Sequence, residues 1–123
     1  MKNAINWFEI PVKNYERAKK FYSNVLGNAV TDMPMPDFKY GILPYDMENK
    51  GVGGAIIQSE FTIPSETGCV IYLNGGDDLN TPLAKVEAAG GKVVMPKTAI
   101  GENGFMAHFT DTEGNRLAFH SMS

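Results

Sequence analysis

The sequence has little cysteine, no concentration of positive charge and no long apolar segment, and each absence excludes a class of protein. The single cysteine, Cys69, excludes an internal disulfide and is typical of a chain kept in a reducing compartment. It opens the apolar run 69–73, which predicts a buried strand. We therefore expect a structural thiol, because no neighbouring cation in the sequence would activate it.

Positive charge is scattered along the chain. Lys and Arg number 11 against 14 Asp and Glu, a net charge of −3. Nucleic acids and anionic membranes bind clustered positive charge, so neither is an expected partner. No apolar stretch approaches the roughly 18 residues of a membrane span. The first ten residues include Asn6 and Glu9 and do not have the pattern of a signal peptide. We expect a cytoplasmic protein.

The chain has 123 residues, 43% of them hydrophobic and 20% charged. These values are typical of one globular domain, and a chain of this length buries roughly two thirds of its unfolded surface.

The first half of the sequence predicts a strand, a helix and three strands. Residues 4–12 are rich in Ile, Trp, Phe and Val. Asn14 is a helix cap, the next apolar residues follow one helical face, and Gly27 ends the helix. Short β-like segments follow at about 29–33, 38–44 and 52–61.

The second half predicts the same order. Residues 69–74 are predicted to form a strand, and Asp77 and Asp78 can cap a helix that Gly90 ends. Three further strands are predicted at about 92–95, 105–110 and 116–121. The last two are joined by the turn residues 111–115, a strong hairpin pattern.

Spacing relates the two halves. Asn14 to Gly27 and Asp77 to Gly90 are equal distances, 13 residues each. A unit of roughly 60 residues repeated twice predicts one α+β domain made of two βαβββ modules, at about 1–62 and 67–123. The polar residues 62–68 would link them.

The opening and closing segments resemble the vicinal oxygen chelate superfamily, which includes the glyoxalases, the bleomycin resistance proteins and the extradiol dioxygenases. Residues 5–27 have its opening pattern of a strand, a polar cap, a helix carrying Phe-Tyr, and Leu-Gly. Residues 111–119, DTEGNRLAF, resemble its closing motif, with Thr112 in place of the usual Pro. The resemblance implies curved mixed β-structure around a funnel-shaped cavity, and a homodimer.

In metal-dependent members, the resemblance implies two ligands from each module, on its first and last strands. Those positions fall on Trp7, on Ala118, on about Val70 and between Gly54 and Ile57. None of these side chains offers a lone pair, and a divalent cation needs several converging donors. We therefore predict no metal site and no cofactor.

Other residues share the predicted cavity face by strand alternation. Glu9 accompanies Trp7, Tyr72 accompanies Val70, and His120 accompanies Ala118. Gln58 joins them if Ile56 faces the cavity. His108 is out of step with its apolar neighbours and is a further candidate.

The leading hypothesis is a metal-free protein that binds a small aromatic or apolar molecule through Trp7, Glu9, Gln58, Tyr72 and His120. An alternative is a lyase resembling lactoylglutathione lyase, an isomerase or a dioxygenase-related enzyme. It would hold a divalent metal with Glu9, Gln58, Tyr72 and His120. Glu9 and His120 could also form a catalytic acid–base pair. A third hypothesis is protein–protein association, with Trp7 filling the cavity.

Overall fold

The computed structural model describes residues 2–123, and the chain divides between Pro64 and Ser65 into two compact units. The first unit consists of β1 (Trp7–Pro11), α1 (Tyr15–Leu26), β2 (Thr31–Asp32), β3 (Lys39–Ile42) and β4 (Gly53–Gln58). The second consists of β5 (Ile71–Asn74), α2 (Asn80–Leu83), β6 (Lys92–Ala99), β7 (Phe105–Thr110) and β8 (Arg116–Ser121). The predicted α+β class and the two βαβββ modules are confirmed.

Each unit contains one four-stranded mixed sheet with the same topology. The strand orders are β1-β4-β3-β2 and β5-β8-β7-β6, and the first strand runs parallel to the last in both units. Ile10 pairs with Ile56 in one sheet, and Leu73 pairs with Phe119 in the other. All four are buried. The sequence repeat is therefore a repeat of register as well as of element order.

Local signals account for α1. The Asn14 side chain accepts a hydrogen bond of 3.1 Å from the Arg17 backbone N–H, and so caps the helix as predicted. Gly27 ends the helix with φ at 75°, the left-handed conformation that glycine adopts without steric cost. The buried face contains Ala18, Phe21 and Tyr22.

The second helix is shorter than its apolar pattern predicted. Only Asn80–Leu83 is α-helical, and hydrogen-bonded turns follow up to Gly91. Pro82 contributes no N–H, and the N–H groups of Lys85 and Val86 bond three residues back instead of four. Leu79 and Val86 are nevertheless fully buried, so the turns bury the same apolar face. No helix within residues 2–123 is long and apolar enough to cross a membrane.

Cys69 is exposed and lies outside any strand, so the prediction of a buried thiol is wrong. β5 begins at Ile71, which pairs with Leu117 in β8. A strand extended back to Cys69 would pair with Asn115, but Asn115 belongs to the hairpin turn. In that turn the Asn115 N–H groups bond to the Asp111 carboxylate.

Candidate functional site

Trp7 and Glu9 lie on the face of the first sheet opposite α1, called here its open face. Their neighbour Ile10 is buried on the helix side, whereas both of these side chains are exposed. The register places Trp7 beside Gly53 and Glu9 beside Ala55. Since neither neighbour has a long side chain, the tryptophan and the carboxylate stand above a low part of the sheet.

A directed chain of hydrogen bonds links three side chains on this face. Trp7 Nε1–H donates to the Tyr40 hydroxyl oxygen at 2.9 Å. The Tyr40 hydroxyl donates to Glu9 Oε2 at 2.6 Å. Burial and then the bond to Glu9 raise the pKa of Tyr40, so its hydroxyl keeps the donated proton. The chain ends on the carboxylate.

These side chains line a concavity of about 400 Å³ that is formed within the first unit. Its other lining residues are almost all aromatic or apolar. Trp7 and Tyr45 meet edge to face, with ring centroids 5.8 Å apart. The complete lining, called here the Trp7 pocket, consists of Trp7, Glu9, Met33, Met35, Phe38, Tyr40, Ile42, Tyr45 and Met47.

Gln58 does not belong to this face. It follows Ile56 by two residues, and both lie on the helix side of β4. Its Oε1 accepts a hydrogen bond of 2.6 Å from the Tyr15 backbone N–H at the start of α1. The prediction that Gln58 shares a binding face with Glu9 is therefore wrong. Within the first unit, Glu9 and Gln58 therefore do not converge as the non-standard metal set would require.

In the second unit, Tyr72 and His108 meet above Ala118. The register pairs Tyr72 with Ala118, and Ala118 with His108, so the three form one row across the sheet. Tyr72 Oη lies 3.1 Å from His108 Nε2, and the two rings are perpendicular. Because alanine projects only a methyl group, the longer side chains on either side can reach each other.

Arg116 fixes the tautomer of His108. Its Nε–H donates to His108 Nδ1 at 3.1 Å, so the neutral imidazole must carry its proton on Nε2. That proton is donated to Tyr72 Oη. Burial, followed by the positive charge of Arg116, lowers the pKa of His108 below its usual value. His108 is thus held in its neutral form between Arg116 and Tyr72.

We expect this buried histidine to make stability depend on pH. Below a pH of about 6.5 an unfolded histidine binds a proton, whereas folded His108 resists protonation. Its contribution to the free energy of unfolding is complete above that pH and decreases as the pH falls. Urea unfolding between about pH 7.5 and 5.5 should therefore show a steeper loss for the wild type than for His108→Gln. His120→Gln serves as the control, and equal slopes for the wild type and His108→Gln would contradict the assignment.

His120 lies two residues beyond Ala118 on the same face of β8, and its Nε2 is 2.7 Å from the Asn103 carbonyl oxygen. That oxygen can only accept, so Nε2 donates to it. Glu9 and His120 each have a partner within their own unit. Their action as an acid–base pair stays a prediction.

Residues 4–119 match the protein-family model of the Glyoxalase/Bleomycin resistance protein/Dioxygenase superfamily. The chain belongs to this superfamily.

Individual proteins and solved structures similar to this chain are consistent with the glyoxalase-superfamily assignment. In an alignment of 114 residues, the chain is 30% identical to "Putative glyoxylase CFP32" of Mycobacterium bovis and of Mycobacterium tuberculosis; the alignment covers 89% of this chain and 42% of those proteins. The hypothetical protein SA1046 from S. aureus is 23% identical with a TM-score of 0.69, the alignment covering 98% of this chain and 95% of that one. TnmS3, an antibiotic binding protein from Streptomyces sp. CB03234, is 22% identical with a TM-score of 0.66, covering 98% and 97%.

Several residues of the two candidate sites were not predicted from the sequence. Tyr40 alternates with Ile42 in β3 and with Phe38 just before it, and this period of two could have placed all three on one face. Arg116 precedes Ala118 by two residues, so the same rule could have found it. The contributions of Met33, Met35, Tyr45 and Met47 come from loops around β2 and β3, for which the sequence has no comparable signal.

Proposed function

We propose that this chain is a metal-free, small-molecule-binding member of the superfamily, and that it binds an aromatic or apolar molecule in the Trp7 pocket. One observation carries the proposal: a concavity of about 400 Å³ in which eight of nine lining residues are aromatic or aliphatic. Small-molecule pockets combine such a lining with a few placed polar groups. Here the polar group is the chain of hydrogen bonds that ends on Glu9.

The chemistry of the side chains supports a role without a metal. In the register of the first sheet, Ala55 of the closing strand lies on the open face beside Glu9. Its counterpart in the second sheet is Ala118, beside Tyr72. The side chains of both alanines and of Trp7 have no lone pair with which to bind a metal. A divalent cation requires several converging lone-pair donors. The residues at the family's ligand positions therefore do not fit a metal.

The exposed methionines favour a hydrophobic ligand. Met33, Met35 and Met47 are 42%, 37% and 67% exposed. Methionine side chains are flexible and polarisable, so they can adapt to apolar surfaces of different shape. The name of TnmS3 indicates that a chain of similar fold serves as an antibiotic binding protein. A cytoplasmic homodimer remains part of the proposal, the dimer on the basis of the family resemblance.

Thermal-shift screening of an aromatic compound library tests the proposal. A compound that binds the folded state raises its stability by about 2.7 kcal/mol at one hundred times its Kd, which corresponds to a melting temperature higher by several degrees. We expect Trp7→Ala to abolish this rise, because it removes the largest aromatic surface that lines the pocket.

Phe61→Ala is the matched control, since Phe61 is another large aromatic residue, is 87% exposed and lies outside the pocket. It should leave the rise unchanged. A rise that persists in Trp7→Ala would exclude this pocket as the binding site.

A further inference from the structure

The hydrogen bonds of the Trp7 pocket run in one direction. An indole N–H can only donate, so the Tyr40 oxygen accepts from Trp7 and the Tyr40 hydroxyl must turn its own proton elsewhere. That proton goes to Glu9 Oε2 at 2.6 Å. The indole and hydroxyl protons are therefore both engaged in hydrogen bonds between these side chains. The group left to bond a ligand is the Glu9 carboxylate, which can still accept hydrogen bonds.

The carboxylate has no cationic partner in the pocket. Among the nine lining residues, all within the described part of the chain, Glu9 is the charged one. Lys39 is close in sequence to Tyr40, but it pairs with Gln58 and so lies on the helix side of the sheet. A carboxylate beside apolar walls is stabilised by a positive group brought to it.

The aromatic rings around Glu9 favour the same kind of ligand. Trp7 and Tyr45 meet edge to face, as do Phe38 and Tyr40, with centroids 5.8 Å apart in both pairs. Aromatic faces attract cations through their quadrupoles, and tryptophan does so most strongly. The pocket thus combines π-faces with one acceptor that carries negative charge.

We infer that the ligand of the Trp7 pocket carries a protonated amine next to an aromatic or apolar body. The amine bonds to the Glu9 carboxylate, and the apolar body lies against Trp7 and the methionines. This inference rests on the proposed function and narrows it to one class of ligand.

The single tryptophan of the chain provides a direct measurement. One indole N–H signal appears in an amide-correlation NMR spectrum, and it belongs to the pocket. Three probes of nearly equal shape are titrated at low salt with a chelator present: protonated 1-naphthylmethylamine, neutral 1-naphthylmethanol and anionic 1-naphthoate. We expect the amine to bind about tenfold more tightly than the alcohol, and the carboxylate to bind most weakly.

Glu9→Gln decides the role of the charge. The amide keeps the shape and can still accept from Tyr40, so the alcohol should bind nearly as before while the advantage of the amine disappears. Glu60→Gln, an identical change at an exposed position outside the pocket, should preserve that advantage. If the alcohol or the carboxylate matches the amine, or if Glu9→Gln keeps the advantage, the inference is wrong. If no probe shifts the indole signal, the proposed function itself fails.

Discussion

Asp111→Ala is expected to destabilise the second unit by roughly 3–5 kcal/mol, a large part of the stability of a domain of this size. The Asp111 carboxylate accepts bonds from the backbone N–H groups of Glu113 and Asn115 at 2.8 and 2.9 Å, and from Asn115 Nδ2 at 2.9 Å. Asp111 is 6% exposed, so water cannot easily replace it. Removing the carboxylate leaves buried donors unsatisfied. Urea unfolding followed by circular dichroism measures the loss.

Asp46→Ala is the matched control. Asp46 makes similar bonds, to the Asn49 backbone N–H at 3.2 Å and to Asn49 Nδ2 at 2.6 Å, but in an exposed turn. Water can satisfy those donors, so the loss should stay below about 1 kcal/mol. Should Asp111→Ala fail to fold, Asp111→Asn, which keeps one carbonyl acceptor, should give an intermediate loss. Equal losses for Asp46→Ala and Asp111→Ala would contradict the importance of burial.

Gly54→Ala is expected to cost about 1–3 kcal/mol, although replacing glycine in a strand is normally favourable. Gly54 pairs with Phe8, and an added Cβ would lie 2.4 Å from Phe8 Cε1 and Cζ. No side chain fits at that distance, so the aromatic ring or the strand must move. The loss is measured by chemical unfolding and by the melting temperature.

Gly68→Ala is the control, and its expected effect on stability has the opposite sign. The nearest atom to a Cβ at Gly68 is Ser65 Oγ at 3.7 Å, an ordinary contact. Alanine there restricts the unfolded chain and should be neutral or stabilising, by up to about 1 kcal/mol. If both substitutions change stability alike, the contact with Phe8 does not constrain β4.

The elements predicted best are those specified by neighbouring residues. Asn14 and Gly27 mark α1 because cap and C-terminal glycine act on the backbone within a few residues. The hairpin strands β7 and β8 have the predicted bounds, since the turn 111–115 sets their register. Such signals act over a short range and can be read from sequence alone.

The errors arose where the outcome depends on distant partners. The prediction for Gln58 depends on a register that the sequence leaves open between Gly54 and Ile57, and a shift of one residue moves a side chain to the other face of a strand. The pairing of Ile56 with Ile10 and of Gln58 with Lys39 places Gln58 on the helix side. The contact of Tyr72 with His108 spans 36 residues. The residues next to Tyr72 and to His108 in the sequence do not indicate that these two side chains meet.

The repeated backbone has a consequence for how the two halves can evolve. Val12 N–H bonds to the Ile57 carbonyl oxygen, and Gly75 N–H bonds equivalently to that of His120. Because these hydrogen bonds join main-chain atoms, they do not depend on which side chains occupy the exposed faces of the sheets. The first sheet displays a carboxylate beside an indole and a phenol, whereas the second displays a guanidinium, an imidazole and a phenol. Two copies of one scaffold can therefore carry different side-chain chemistry on the same main-chain architecture.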